Sequence, residues 1–152
     1  MKRFEFKLQP LLNYRKYLER LAQQKTAKAH MDVTNCEKQI VQLKLSYEQI
    51  AQEIEDIMVN GVSASEFKRY HSFLDSVEST IDDETNKKIQ LKKILNEKLL
   101  ALKKKSIDKK AMELYREKLK IKYIQEGIKI DQKEQDEMSS LKTARTISHE
   151  TL

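Results

Sequence analysis

The stretch MVNGVSASEF, Met58 to Phe67, decides how this chain folds. It holds Gly61, one of only two glycines in 152 residues. Asn60-Gly61 is a helix-stop signal, because glycine enters the left-handed region without the steric cost other residues meet there. Ser63, with Glu66 three residues on, is a capping box that starts a new helix. Stop and restart signals this close together predict a tight turn between two helices. The alternative is a kink in one continuous helix. The agreement of the two signals favours the turn.

The flanks support a fold-back. From Val33, the apolar positions Cys36, Ile40, Leu43, Tyr47, Ile50, Ile54 and Ile57 follow in steps of three and four. That is an a/d seam, which needs a second helix along one side. Upstream, Leu11, Tyr14, Leu18 and Leu21 form a similar stripe, joined to the first through Ala22, Thr26 and Ala29 with a one-residue phase shift. After the turn, Phe67, Tyr70, Leu74, Val77 and Ile81 repeat the pattern, which continues less regularly through Leu91, Leu95, Leu99 and Leu102. The expected fold is all-α: one long two-helix antiparallel coiled-coil hairpin with an overhanging C-terminal helix. A single domain over 1–152 would comprise arm one at 10–58, a turn at 59–63, arm two at 64–138 and a frayed tail at 139–152. Arm one starts near Pro10, a favourable first-turn residue. It would run on the order of 75 Å at about 1.5 Å per residue. A fold-back near residue 61 sets residue i beside roughly residue 122 minus i. Beyond Glu113 the second arm would project unpaired, weakened or bent at Gly127.

Composition agrees. Charged residues make up 36% of the chain and aromatics 7%, with no Trp and one Pro, the profile of long helices rather than of a compact globule. The net charge of +6 is unevenly spread. Residues 1–30 carry 8 basic and 2 acidic side chains, and residues 87–122 carry 14 and 4. Residues 31–86 carry 4 and 12. The expected hairpin is therefore basic at its open end and acidic toward the turn, which implies an acidic partner at the open end and salt-weakened steering. The start, MKRFEFKLQPLL, has no apolar core of a secretory signal. No segment approaches the roughly 20 apolar residues that span a bilayer. The single Cys36 fits a reducing compartment and forms no internal disulfide.

Catalytic, metal and cofactor sites are not expected. His30, His71 and His149 are too scattered to serve one nucleophile or one metal. Cys36 falls on the seam, where a small buried thiol is an ordinary packing residue. No glycine-rich phosphate loop exists. The lysine-rich LKKKSIDKK could touch phosphates, but the aromatics that stack on bases are nearly missing there, so nucleic acid is not an expected partner. The residues alone lead to a helical hairpin that works by contact.

Several stretches together resemble the flagellar FliJ family. FKLQPLLNYRKYLE (Phe6 to Glu19) is similar to its N-terminal signature, and NGVSASEFKRYHSFLDSVESTI (Asn60 to Ile81) to its central region. AMELYREK (Ala111 to Lys118) and DQKEQDEMSS (Asp131 to Ser140) are similar to its C-terminal signatures. The resemblance implies a component of the bacterial flagellar type III protein export apparatus. That component is a coiled-coil stalk which binds and stimulates the hexameric export ATPase, contacts the cytoplasmic part of the export gate and escorts export chaperones. It implies a cytoplasmic protein held peripherally at the inner face of the inner membrane, at the flagellar base. By the same resemblance, the gate-binding residues are Gln39, Leu43, Tyr47, Ile50, Phe73, Val77 and Thr80. Ile50 stands where an aromatic is frequent, and Glu84 where a histidine or neutral residue is expected. The ATPase-ring contacts are Phe4, Leu8, Leu12, Arg15 and Lys16, with Arg116, Lys118, Lys120 and Tyr123. Two other readings compete: a generic coiled-coil scaffold that dimerises through leftover apolar stripe on arm two, and a basic hairpin that binds nucleic acid.

Overall fold

The computed structural model describes residues 3–150, with the side chains of residues 149 and 150 outside that description. Two helices, α1 (Gln9–Asn60) and α2 (Ala64–Glu150), pack against each other as an all-α antiparallel hairpin, with no strand among the described residues. The chain divides into two compact units. One holds Met1–Tyr17 with Ser106–Leu152, the other Leu18–Lys105.

In the second unit the turn forms as its residues dictate. Gly61 takes φ of +88°, and its N–H donates to the Met58 carbonyl at 3.3 Å. The Ser63 hydroxyl accepts the Glu66 N–H at 3.3 Å, and the Ser63 carbonyl accepts from Phe67 at 3.0 Å. Glu66 also sets a negative charge in the first turn of α2, where the helix dipole favours it.

The α1 seam is buried or half-buried at every position from Val33 to Ile57. Upstream, the structure corrects the reading. The stripe at Leu11 and Tyr14 faces solvent, and Leu12 is buried instead. The buried face runs back from Val33 through Ala29, Thr26, Ala22, Glu19 and Arg15 to Leu12 in the same steps of three and four, with no phase shift. A one-residue shift would rotate the inward face by about 100°. The helix keeps its register and accepts small and charged residues in the seam. In α2, Glu84, Lys88 and Lys98 are likewise half-buried at seam positions, while Leu99 points outward. The lysine stems cover apolar surface while their ammonium groups reach water.

Small side chains let the helices of this unit approach closely. The Thr26 hydroxyl lies 2.8 Å from the carbonyl of Ala22 and 3.3 Å from that of Lys98 across the seam. The Cys36 thiol reaches the Glu84 carbonyl at 3.4 Å. On the rim, the Glu37 carboxylate faces Lys88 at 3.4 Å and Lys92 at 3.8 Å. These pairs are partly exposed, so each contributes at most about 1 kcal/mol.

In the first unit, residues 3–6 are not helical and lie against α2. Phe6, Leu12 and Met112 form the core, with Phe4 and Leu119 packed against it. The unpaired part of α2 therefore does not begin at Glu113, because Phe4 reaches Tyr123. The reason is that a non-helical segment covers more length per residue than a helix does. The helix then continues through the segment read as a frayed tail, with every side chain from Asp131 to Ser148 exposed. Residues 151 and 152 of that tail lie outside the described residues.

One consequence is testable at the turn. A Cβ at position 61 meets no atom within 4 Å, so substitution strains only the backbone. Gly61→Ala should cost about 1–2 kcal/mol in chemical denaturation, with helix content retained. An unchanged midpoint would mean that the left-handed conformation is not required.

Candidate interaction surfaces

The first surface belongs to the first unit. The alternation in Phe4-Glu-Phe6 suits an extended segment, which sends alternate side chains to one side, before a turn at Lys7 and Leu8 leads into α1. Phe4 stacks at a tilt on Tyr123 with ring centroids 5.6 Å apart, and Phe6 meets the edge of Tyr115 at 6.2 Å. Together with Leu8 and Leu119 they line a groove of about 480 Å³, edged by Lys7 and Lys122 and by Glu5 and Glu126.

The expected ring contacts divide here. Phe4 and Tyr123 are half-buried and pack on each other, and Leu8 is exposed at the groove. Arg116, Lys118 and Lys120 are exposed, and Lys16 is half-buried. Two residues change role. Leu12 has 0% exposure and presents no surface to a partner. Arg15 turns inward, where its guanidinium donates to the Asp108 carbonyl at 2.7 Å. Both hold the surface in place. Sequence reading missed Phe6, Tyr115 and Leu119. The alternation of Phe4 and Phe6 ahead of a helix that starts at Gln9 is the signal that could have found Phe6; Tyr115 and Leu119 carry no such local signal.

The second surface belongs to the second unit. Gln39, Leu43 and Thr80 meet in a shallow groove of about 400 Å³, completed by Gln42, Ser46 and Glu84. Thr80 spends its hydroxyl proton on the Ser76 carbonyl at 2.9 Å. Tyr47, Ile50 and Val77 are half-buried along the seams. Phe73 is 53% exposed beside the buried Leu74, the most outward apolar member of the expected gate patch. So the structure joins Gln39, Leu43 and Thr80, uses Tyr47, Ile50 and Val77 partly as packing, and leaves Phe73 free to be touched.

Beneath this groove lies an ionisable pair in the seam. The Cys36 thiol donates toward the Glu84 carboxylate at 3.5 Å, and Lys87 faces the same carboxylate at 3.8 Å. Burial pushes the thiol pKa up, and the hydrogen bond to Glu84 and the charge of Glu84 push it further, against the opposing pull of Lys87 and Lys88. The folded chain holds this proton more tightly than the unfolded chain does. Any stability it lends is complete below the ordinary thiol range and falls as pH rises through it.

No helix among the described residues is long and apolar enough to cross a membrane. No group of three or more metal-ligating side chains occurs among them.

A two-helix hairpin with shallow grooves lined by packing residues has the build of a coiled-coil protein. The family model described as flagellar FliJ protein matches residues 4–147, and the chain belongs to that family. Membership makes it a component of the type III export apparatus, in association with that machinery. Among solved structures, the fold resembles that of CT670 from Chlamydia trachomatis, described as a YscO homolog. The TM-score is 0.51 at 17% sequence identity, over 91% of this chain and 94% of that one, a likeness of fold. No curated protein sequence matches the chain significantly.

The seam thiol offers a direct check. Cys36 should alkylate slowly in the folded protein at mildly alkaline pH and severalfold faster in Glu84→Gln, with equal rates for both after denaturation. Equal folded-state rates would mean that Glu84 does not control the thiol.

Proposed function

We propose that this protein is the coiled-coil stalk of the export apparatus. It binds and stimulates the hexameric export ATPase through the first unit, contacts the export gate through the second and escorts substrate chaperones. The observation that carries this reading is the build of the first unit. There the N-terminal segment is fastened to α2 by Phe4–Tyr123 and Phe6–Tyr115, among the exposed cations Arg116, Lys118 and Lys120. A rigid basic end of this kind suits entry into an acidic or polar pore, since exposed like charges steer a complementary partner and lose their effect as salt screens them.

The test is ATP hydrolysis by the cognate export ATPase, with and without this protein, over a range of salt. Stimulation should appear at well below one chain per ATPase subunit and weaken with salt. Reversing the charge at Lys16, Arg116, Lys118 and Lys120 together should abolish it while helix content stays unchanged. Arg15 is left intact because it holds the Asp108 carbonyl. Undiminished stimulation by the reversed variant would refute the basic end as the contact.

For the gate, Phe73→Ala should weaken binding to the cytoplasmic part of the export gate by about tenfold or more, as expected for loss of an aromatic anchor. Because Phe73 is exposed, the thermal midpoint should hardly move. Gate binding unaffected by this change would take Phe73 out of the contact.

A further inference from the structure

The turn that makes the hairpin also sets an asparagine amide beside the least hindered backbone nitrogen a chain can offer. Asn60 is the last residue of α1, and Gly61 follows it directly. The Asn60 side-chain carbonyl carbon and the Gly61 nitrogen need only one new bond to close a five-membered ring. Two things ordinarily prevent that closure. The side chain of the following residue crowds the nitrogen, and a rigid backbone holds the two atoms apart. Glycine removes the first obstacle, because it has no Cβ. The other four asparagines keep both: Asn13, Asn35, Asn86 and Asn96 lie inside helices, followed by Tyr, Cys, Lys and Glu.

The second obstacle is weak at this turn. A Cβ at position 61 would meet no atom within 4 Å, so the space beside Gly61 is open. Val59 is 87% exposed and Asn60 is exposed beside it. The Gly61 N–H is restrained by its bond to the Met58 carbonyl, which at 3.3 Å is long for its kind. Ring closure requires Asn60 to leave its helical ψ. The last α1 side chain in the seam is Ile57, so this movement breaks no apolar contact of Asn60. Opening of a helix end costs close to nothing.

We propose that Asn60 is a self-modification site of the folded hairpin, where the side-chain amide converts to a carboxylate with water as the only co-reactant. The Gly61 nitrogen attacks the Asn60 side-chain carbonyl carbon. The new C–N bond forms, the bond to the side-chain nitrogen breaks, and ammonia leaves with the proton that Gly61 gives up. Water then opens the cyclic imide at either carbonyl. One route restores the backbone with aspartate at position 60. The other leaves isoaspartate, whose backbone runs through the side chain and is one methylene longer. Either product works against the turn. Position 60 stands four residues after Asp56, so a carboxylate there adds a like-charge pair at i, i+4. It also lies at the C-terminal end of α1, where the helix dipole opposes negative charge. The last turn of α1 has no basic residue to offset it. Isoaspartate in addition lengthens a connection built on Gly61 at φ of +88° and the Ser63 cap. The chain thus carries a slow, one-way change that loosens the junction of α1 and α2.

The test is incubation of the full chain in warm, mildly alkaline buffer, followed by peptide mass spectrometry. The same chain unfolded in urea is the reference. The peptide that holds Asn60 should gain the mass of an amide-to-acid change in the folded protein, at a rate comparable to that of the unfolded chain. The peptides that hold Asn13, Asn35, Asn86 and Asn96 should keep their amides. Labelling by an isoaspartyl methyltransferase should detect isoaspartate at position 60. The rate should rise with pH, because the Gly61 N–H proton must leave for the ring to close. Asn60→Gln should block the reaction and hardly move the denaturation midpoint. Asn60→Asp should lower that midpoint, with helix content retained. An Asn60 amide that survives in the folded protein while the unfolded chain loses its own overturns the proposal, since the fold would then protect the turn. Loss spread evenly over all the asparagines overturns it as well. An unchanged midpoint in Asn60→Asp overturns the loosening.

Discussion

Everything in this protein depends on the shared seam of two helices that cannot stand alone. Polar helices of this composition draw little stability from propensity and most of it from packing an apolar stripe on a partner. The turn at Gly61 puts α2 within reach of α1, and a turn of three residues keeps the entropy of closure small. Once the strong Val33–Ile57 stripe is docked, its register governs α1 as far as Leu12. The seam then admits residues that no apolar pattern would choose. Thr26 and Cys36 satisfy themselves on carbonyls of the facing helix, and Arg15 does the same at Asp108. A buried polar group costs little only when it finds a partner. These contacts let the register persist where the apolar side chains run out.

The same register sorts side chains into those that build a surface and those that are the surface. Leu12 and Leu11 are neighbours in sequence, yet one is in the core and the other is exposed. Leu74 and Phe73 divide the same way. This sorting decides which side chains a partner could meet. Grooves form where small residues or segment edges leave gaps, and rigid helices hold their rims in place. The Phe4–Tyr123 and Phe6–Tyr115 contacts extend the principle past the helix, because they fix a non-helical segment on α2.

Charge adds direction to shape. The lysines of 87–122 and the carboxylates of 31–86 are properties of sequence intervals, and the long lysine stems let Lys88 and Lys98 lie half-buried in the seam. Glu84 shows the local price of such placement: it sits half-buried, faces Lys87, and raises the proton affinity of the Cys36 thiol. Ile107, Leu114, Ile121 and Ile128 on α2 are the reverse case, large hydrophobic side chains left exposed to water.

The all-α class, the turn at Gly61 and the strong half of the seam were legible in the sequence. Each rests on local rules: a left-handed glycine, a capping serine and a 3.5-residue period carry their meaning within a few residues. It also carried the family resemblance, which the match over residues 4–147 bears out. The register of the upstream half was set by packing between the helices. Leu11, Tyr14, Leu18 and Leu21 make an equally apolar stripe, and nothing local says that the downstream seam overrules it. The partition of the expected contact residues was also tertiary. Arg15 and Leu12 became supports, Phe6 and Tyr115 entered the groove, and Gln39, Leu43 and Thr80 came together. Which face of a helix is inward depends on the helix opposite, and that partner lies far away in the chain, as Asp108 lies 93 residues from Arg15.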